Sequence, residues 1–391
     1  MESEKDLKEN IEKYNHILAQ RLEWLDGMKN HLIGPEYIKE EKDSKKKKIA
    51  IIYDVDGWAF NNIARIVKEK LSDYYEIDIF PKSVFTDNVV RLMFLAKRYD
   101  LVHLLWRGMF SELEGEFVKG YIESLGYKYE EFIEEFVNKI NMTTSVYDHS
   151  FLDKESFWIT ESFIKYSKGY TTSSSKLFNI YNDLDIDKKP HSMVSDGVDL
   201  KRFKPKNLER FKNIKDRKIL IGWVGNSEFT DSENDDDLKG VRKIINPAIE
   251  GLIKEGYPIE KKFADKADGY ILHEKMPDYY NSIDVYICGS KQEGTPNPVL
   301  ESMASGVPII STDVGIVRDA FGNEQKGYIL EERSKEELKK KIIKLIENPE
   351  IFEILSKENL NQIKEWTWDI KCSEFKEFFD YHINKFEENK K

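Results

Sequence analysis

Cysteine is nearly absent from this chain, with Cys288 and Cys372 the only two in 391 residues. Two thiols cannot build a disulfide scaffold, and Cys288 lies in an apolar run that reads as a buried strand, so a reducing compartment is expected. Excess positive charge is also missing. The net charge of −11 argues against a nucleic-acid partner, which needs a basic stripe, and weakens the case for an anionic membrane surface. No apolar run approaches the roughly 20 residues that a membrane span requires. The first residues, Met1-Glu2-Ser3-Glu4-Lys5-Asp6, are acidic without an apolar core and do not read as a secretion signal. The expected location is cytoplasmic, either free or peripheral at the inner face of the cell membrane. What is present suffices for packed cores: 40% apolar and 13% aromatic residues, in a length that favours two domains.

The chain divides by pattern. Residues 1–46 carry Ile11, Tyr14, Ile17, Leu18, Leu22 and Leu25 at helical spacing, then run into a lysine-rich linker. This predicts a helical N-terminal extension, packed on its own domain or serving as an oligomer contact. Residues 47–215 alternate strand and helix patterns, starting with Ile49-Ala50-Ile51-Ile52-Tyr53 and a helix from about Phe60 to Leu71. Further strands are expected at 76–80, 101–105, 143–147, 169–172 and 192–195, with an extra helical pair over 111–140 built on Phe117, Tyr121, Phe132, Phe136 and Ile140. A second alternating unit covers 216–365 and opens on Ile219-Leu220-Ile221-Gly222-Trp223. Alternation of this kind predicts two doubly wound parallel sheets. Residues 366–391, with Trp366, Trp368, Phe375, Phe378 and Phe379, are too aromatic for a free tail.

The most informative stretch is Glu293-Gly294-Thr295-Pro296-Asn297-Pro298-Val299-Leu300-Glu301. Asn297 suits an N-cap and Pro298 a first helical position, while Gly306 suits the stop before a strand at Val307–Ser311. Strand, loop, short helix and strand present backbone N–H groups and a positive dipole end, a seat for a diphosphate.

This stretch, the Ser311-Thr312-Asp313-Val314-Gly315 after it, and Ser195-Asp196-Gly197-Val198-Asp199 with Phe203-Lys204-Pro205 resemble retaining family 4 glycosyltransferases of the GT-B fold. The family usually has asparagine where Asp196 stands. The resemblance implies two Rossmann-like domains facing across a cleft, the first for an acceptor and the second for a nucleotide-diphosphate sugar, with the last helix crossing back to the first domain. It implies that Glu293 faces the donor sugar, that Glu301 holds the ribose hydroxyls, and that Gly294, Thr295, Asn297 and Val299 line the donor. His149 is implied at the cleft rim and Gly57 beside the donor phosphates. Lys239, in Lys239-Gly240, matches one cation of the family's pair; the other position carries Asn226, which hydrogen-bonds without charge. Arg242 and Arg318 stand as substitutes for the missing cation.

The implied activity is retaining, metal-independent hexosyl transfer from a UDP-, GDP- or dTDP-linked sugar to a glycan, lipid-linked or protein acceptor, in bacterial surface polysaccharide or glycoconjugate synthesis. No cofactor and no metal are expected. Asp54-Val55-Asp56 and Asp235-Asp236-Asp237 read as a strand end and a solvated loop rather than as ligand sets, and His103 as structural. Two alternatives stay open: a GT-B nucleotide-sugar 2-epimerase, and a catalytically silent GT-B-like subunit, which Asn226 keeps in view.

Overall fold

The computed structural model describes residues 46–85, 88–228, 237–269 and 271–390. The expected N-terminal helix and most of the acidic insert after Glu228 lie outside the described residues.

The first sheet has six parallel strands: β1 (Lys47–Tyr53), β2 (Tyr75–Pro81), β3 (Leu101–Leu104), β4 (Met142–Val146), β5 (Gly169–Thr172) and β6 (Ser192–Met193), in the order β2-β1-β3-β4-β5-β6. The second has four: β7 (Ile219–Gly225), β8 (Ile259–Asp265), β9 (Val285–Cys288) and β10 (Ile309–Ser311), in the order β10-β9-β7-β8. Parallel strands need crossovers, and helices supply them on both faces. Four helices matter below: α1 (Ala59–Leu71), α2 (Ser175–Asp183), α3 (Asn297–Ala304) and α4 (Trp368–Glu388). Ile63, Ala64, Val67 and Leu71 form the buried face of α1, as their spacing predicts.

Residues 107–137 are helical, but as short pieces rather than a simple pair. A 3₁₀ stretch, Arg107–Glu114, leads into α-helix Glu116–Ser124, then Tyr129–Phe132, which runs on as a π-turn, Ile133–Val137. Phe132 and Phe136 stack with centroids 4.8 Å apart, whereas Phe117, expected in that core, is 74% exposed.

The aromatic helix α4 returns to the first sheet. Its Trp368, Cys372, Phe375, Phe378 and Phe379 bury against Ile49, Ile51 and Leu101, each aromatic contributing about 1.5–3 kcal/mol of burial. Lys70 pairs with Asp369 at 2.7 Å, and Tyr75 donates to Asp380 at 2.5 Å. His103 sits within β3 under this helix. Its ring nitrogens contact Thr143 Oγ1 and Ser145 Oγ at 3.0 Å each, and burial pushes its pKa down to about 3, a structural imidazole.

The chain crosses between the sheets twice, side by side. Val198 N donates to Trp366 O at 2.8 Å, and a Cβ on Gly197 would lie 2.5 Å from Trp368 N. Only glycine lets the outgoing and returning segments approach so closely.

Candidate functional site

The loop between β9 and α3 sits at the carboxyl end of the second sheet, where open α/β sheets bind ligands. Three glycines set its course. Gly315 has φ +47°, and a Cβ there would lie 1.9 Å from Gly294 O, which also accepts from Ile316 N at 3.1 Å. This is the physical reason that the Gly315 segment accompanies the Glu293–Glu301 loop in sequence. A Cβ on Gly294 would meet Tyr147 O of the first domain at 2.1 Å. Gly240, with φ +75°, would meet Gly289 O at 2.3 Å, and Lys291 N bonds Leu238 O at 2.8 Å, so the Lys239 turn is zipped to the end of β9.

That zipper brings two of the expected residues together. Lys239 Nζ lies 2.5 Å from Glu293 Oε1, and Ser290 Oγ donates to the same oxygen at 2.7 Å. Glu301, one turn into α3, accepts from Tyr280 OH at 2.6 Å, with His273 Nε2 3.6 Å from its other oxygen. Glu301 opens onto a cavity of about 330 Å³ whose walls include Val224, Asn226, Lys266, Ile271 and Met276. Asn226 therefore shares a cavity with Glu301. Arg318 bonds Asp313 at 2.7 Å on the surface.

Two details differ from the sequence reading. Pro296 holds the N-cap position of α3 without a side-chain cap, and Asn297 is the first helical residue. Freed from capping, the Asn297 amide donates across the interface to Asp196 Oδ2 at 3.3 Å. Val299 is fully buried in the second core and its N–H is engaged by Pro296 O at 2.8 Å, so it offers no amide to a ligand.

The first domain meets this loop with the turn after β4. Arg107, buried beneath it, donates to both oxygens of Asp148, with Nη1–Oδ2 at 3.2 Å, and to Ser150 O at 2.9 Å. Burial opposes a charged Asp148, but Arg107 and the Ser150 amide prevail and hold its pKa below the usual range. Phe151 takes the unusual φ of +67° and packs on the Arg107 guanidinium. His149, carried between these fixed points, is half-buried, and that burial lowers its pKa. Gln292, next to Glu293, reaches across: its amide oxygen accepts from Ser150 Oγ at 2.8 Å, Ser150 N at 3.1 Å and His149 N at 3.2 Å. A second bridge joins Asp319 to Ser175 at the start of α2, through Ser175 N at 2.9 Å and through its hydroxyl. Gly57, with φ +76° and open space where a Cβ would lie, is on the same edge of the first sheet. Its loop connects to the site through Phe60, whose ring is 5.2 Å from that of Tyr147.

Arg107, Gln292, Ser290, Tyr280 and Asp319 were not legible as site residues. Only Ser290 had a signal, its position three before Glu293. Asp237, expected in a solvated loop, is buried and accepts from Lys243 N at 2.7 Å. Among the described residues, no three or more His, Cys, Asp or Glu side chains are placed to hold a metal ion, and no helix is long and apolar enough to cross a membrane.

Residues 266–362, which contain this loop, match the family profile described as "Glycosyl transferases group 1". An uncharacterized glycosyltransferase of Methanocaldococcus jannaschii is 26% identical over 77% of this chain and 74% of its own length. The lipopolysaccharide core biosynthesis mannosyltransferase LpsB of Rhizobium meliloti is 26% identical over 36% of this chain and 46% of its own. The putative teichuronic acid biosynthesis glycosyltransferase TuaC of Bacillus subtilis is 32% identical over 34% of this chain and 36% of its own. The fold matches sucrose-phosphate synthase from Thermosynechococcus elongatus with a TM-score of 0.58 at 15% identity, covering 86% of this chain and 99% of that one. It also matches HepE from Anabaena, solved with UDP and glucose, with a TM-score of 0.58 at 12% identity over 85% and 99%. Two parallel sheets joined by a double crossover and the match to these solved structures give the chain the GT-B fold, and its residues 266–362, with the glycine-shaped loop and paired glutamates, are similar to the group 1 glycosyl transferases.

Proposed function

We propose that the protein transfers a hexose from a nucleotide-diphosphate sugar to an acceptor, with retention at the anomeric carbon and without a metal ion, in the synthesis of surface polysaccharide or glycoconjugate. The relatives named for lipopolysaccharide core and teichuronic acid synthesis support that setting. The observation that carries the reading is the convergence on one loop of Lys239, Glu293 and Glu301, beside a cavity of nucleoside size. Glu301, oriented by Tyr280, accepts the ribose hydroxyls. The cavity below it takes the base, and UDP sugars are the first donors to try because HepE was solved with UDP. Glu293 holds hydroxyls of the donor sugar, and Lys239 compensates the diphosphate. A bound donor takes contacts of its own from both members of this ion pair.

The bond from the anomeric carbon to the diphosphate oxygen breaks, and the acceptor oxygen bonds that carbon from the same face. The acceptor's proton passes to the leaving phosphate, and a nucleoside diphosphate departs. Charge grows on the diphosphate, so Lys239 acts mainly in the transition state. His149, at the rim and kept neutral by burial, hydrogen-bonds the sugar or acceptor. The acceptor is a glycan, lipid-linked or protein hydroxyl on the first-domain side, and the enzyme works in the cytoplasm or at the inner face of its membrane.

The test is transfer with UDP-, GDP- and dTDP-sugars in EDTA and in magnesium, with the anomeric configuration of the product read by NMR. Retained configuration at similar rates in both buffers is expected. Inversion, or loss on chelation restored by metal, overturns the mechanism. Epimerised sugar still linked to its nucleotide points to the epimerase.

A further inference from the structure

The family's asparagine position is occupied here by Asp196, at the point where the chain leaves the first domain. Its side chain is buried, 2% exposed, between the two domains. Its backbone N donates to Thr295 Oγ1 at 3.3 Å, and its Oδ2 takes the Asn297 amide at 3.3 Å. Its Oδ1 and the Tyr147 hydroxyl that faces it from the end of β4 are both buried and meet without a well-aligned hydrogen bond. Thus an acid group stands between the two domains beside the donor loop with two weak neutral donors and no cation among the groups facing it. Two carboxylate oxygens want several donors, so this seat is too poor for an ionised group. A neutral carboxyl has an O–H to give and fits the phenol oxygen.

We propose that Asp196 is a positioning residue of the donor loop that works in its neutral form, so that closure of the two domains on the donor takes up a proton. The role at a donor loop rests on the transferase reading above. Burial raises the Asp196 pKa to about 7, with Tyr147 and Asn297 pulling weakly the other way. The groups facing it are Tyr147, Asn297 and Thr295. Tyr147 is itself held neutral by burial, with its pKa raised, and the other two do not titrate. In an opened interface Asp196 is solvated and returns toward the ordinary range near 3.8. The closed state therefore binds the extra proton. Its advantage is full below the solvated value, falls as pH rises toward about 7, and levels off above.

The experiment uses the full chain with Asp196→Asn, which keeps the shape and removes the titration. Infrared difference spectra of wild type against the variant are taken with UDP present, to hold the domains closed, at pH about 5.5 and about 8.5, bracketing the transition. A protonated-carboxyl band should appear in wild type at the lower pH and vanish at the higher. Its absence at both overturns the proposal. In transfer kinetics, the donor KM of wild type relative to Asp196→Asn should rise by up to about thirtyfold between those two conditions, since each pH unit of proton linkage is worth up to about tenfold and the linkage runs over about 1.5 units, from about 5.5 to about 7. A constant ratio overturns it. Should Asp196→Asn fail to fold, Asn297→Ala serves: removing a donor to the carboxylate should move the wild-type band's midpoint to higher pH, and an unmoved midpoint overturns the proposal. The infrared arm needs a bound nucleotide but no turnover. No band in an active transferase refutes this role of Asp196 alone, whereas a titrating band in a protein that turns over no nucleotide sugar refutes the transferase reading and the donor-loop role with it.

Discussion

Two ion pairs flank the interdomain site, one from each domain, and they are built differently. Arg107–Asp148 lies under the turn that carries His149. The arginine side chain is 3% exposed and the aspartate 34%, both carboxylate oxygens are engaged, and a backbone carbonyl takes a further guanidinium N–H. Lys239–Glu293 lies on the donor loop with side chains 30% and 21% exposed, joined through a single carboxylate oxygen. The first pair commits both carboxylate oxygens to a buried guanidinium and fixes geometry. The second is open to solvent and to exchange. On the proposed function, a pair of opposite charges marks structure in one domain and chemistry in the other, and burial of the cation with the number of bonds made tells them apart.

Separating stability from turnover sharpens this contrast. Arg107→Ala should have the largest effect, a loss of about 2–4 kcal/mol of folding stability, because it removes the buried guanidinium that Asp148 and the Ser150 carbonyl share. Urea denaturation measures it; a loss under about 1 kcal/mol would make the pair no different from a surface contact. Lys239→Ala should leave stability within about 1 kcal/mol but lower kcat by about 10²–10³-fold, since it removes a charge that matters as the diphosphate leaves. Unchanged kcat at saturating donor would reduce Lys239 to a surface residue. Glu301→Ala should weaken donor binding by about 1.5–3 kcal/mol without a comparable fall in kcat. Tyr280→Phe should cost about 1 kcal/mol of donor affinity, because it frees Glu301 to rotate without removing it. If Tyr280→Phe weakened binding more than Glu301→Ala, the direction of that support would be reversed.

The same division explains what the sequence revealed. The second-domain loop was legible because close backbone approach admits only glycine. Gly240, Gly294 and Gly315 each meet another segment's carbonyl oxygen, and such a demand fixes residue type even where its partner is distant. The strands and the buried face of α1 were legible from periodicity, and the aromatic content of α4 foretold its packing. What stayed hidden was long-range pairing. Arg107 with Asp148, Gln292 with Ser150, Asp319 with Ser175 and Asn297 with Asp196 each join residues 41 to 144 positions apart. Polar side chains carry no periodicity that names a distant partner. Asn297 shows the cost of reading them locally: its type suited a cap, yet the interface claims its amide. Val299 is placed at the donor by the resemblance alone, and the structure shows its N–H already engaged.

The central claim is that the Glu301 cavity holds the nucleotide of a sugar donor. Calorimetric titration of UDP-, GDP- and dTDP-sugars into wild type and Glu301→Ala tests it most directly. The account predicts that one nucleotide series binds wild type and binds the folded variant at least about tenfold more weakly, as loss of a charged hydrogen bond requires. Binding of equal strength to both proteins, or no binding of any series to wild type, would contradict it.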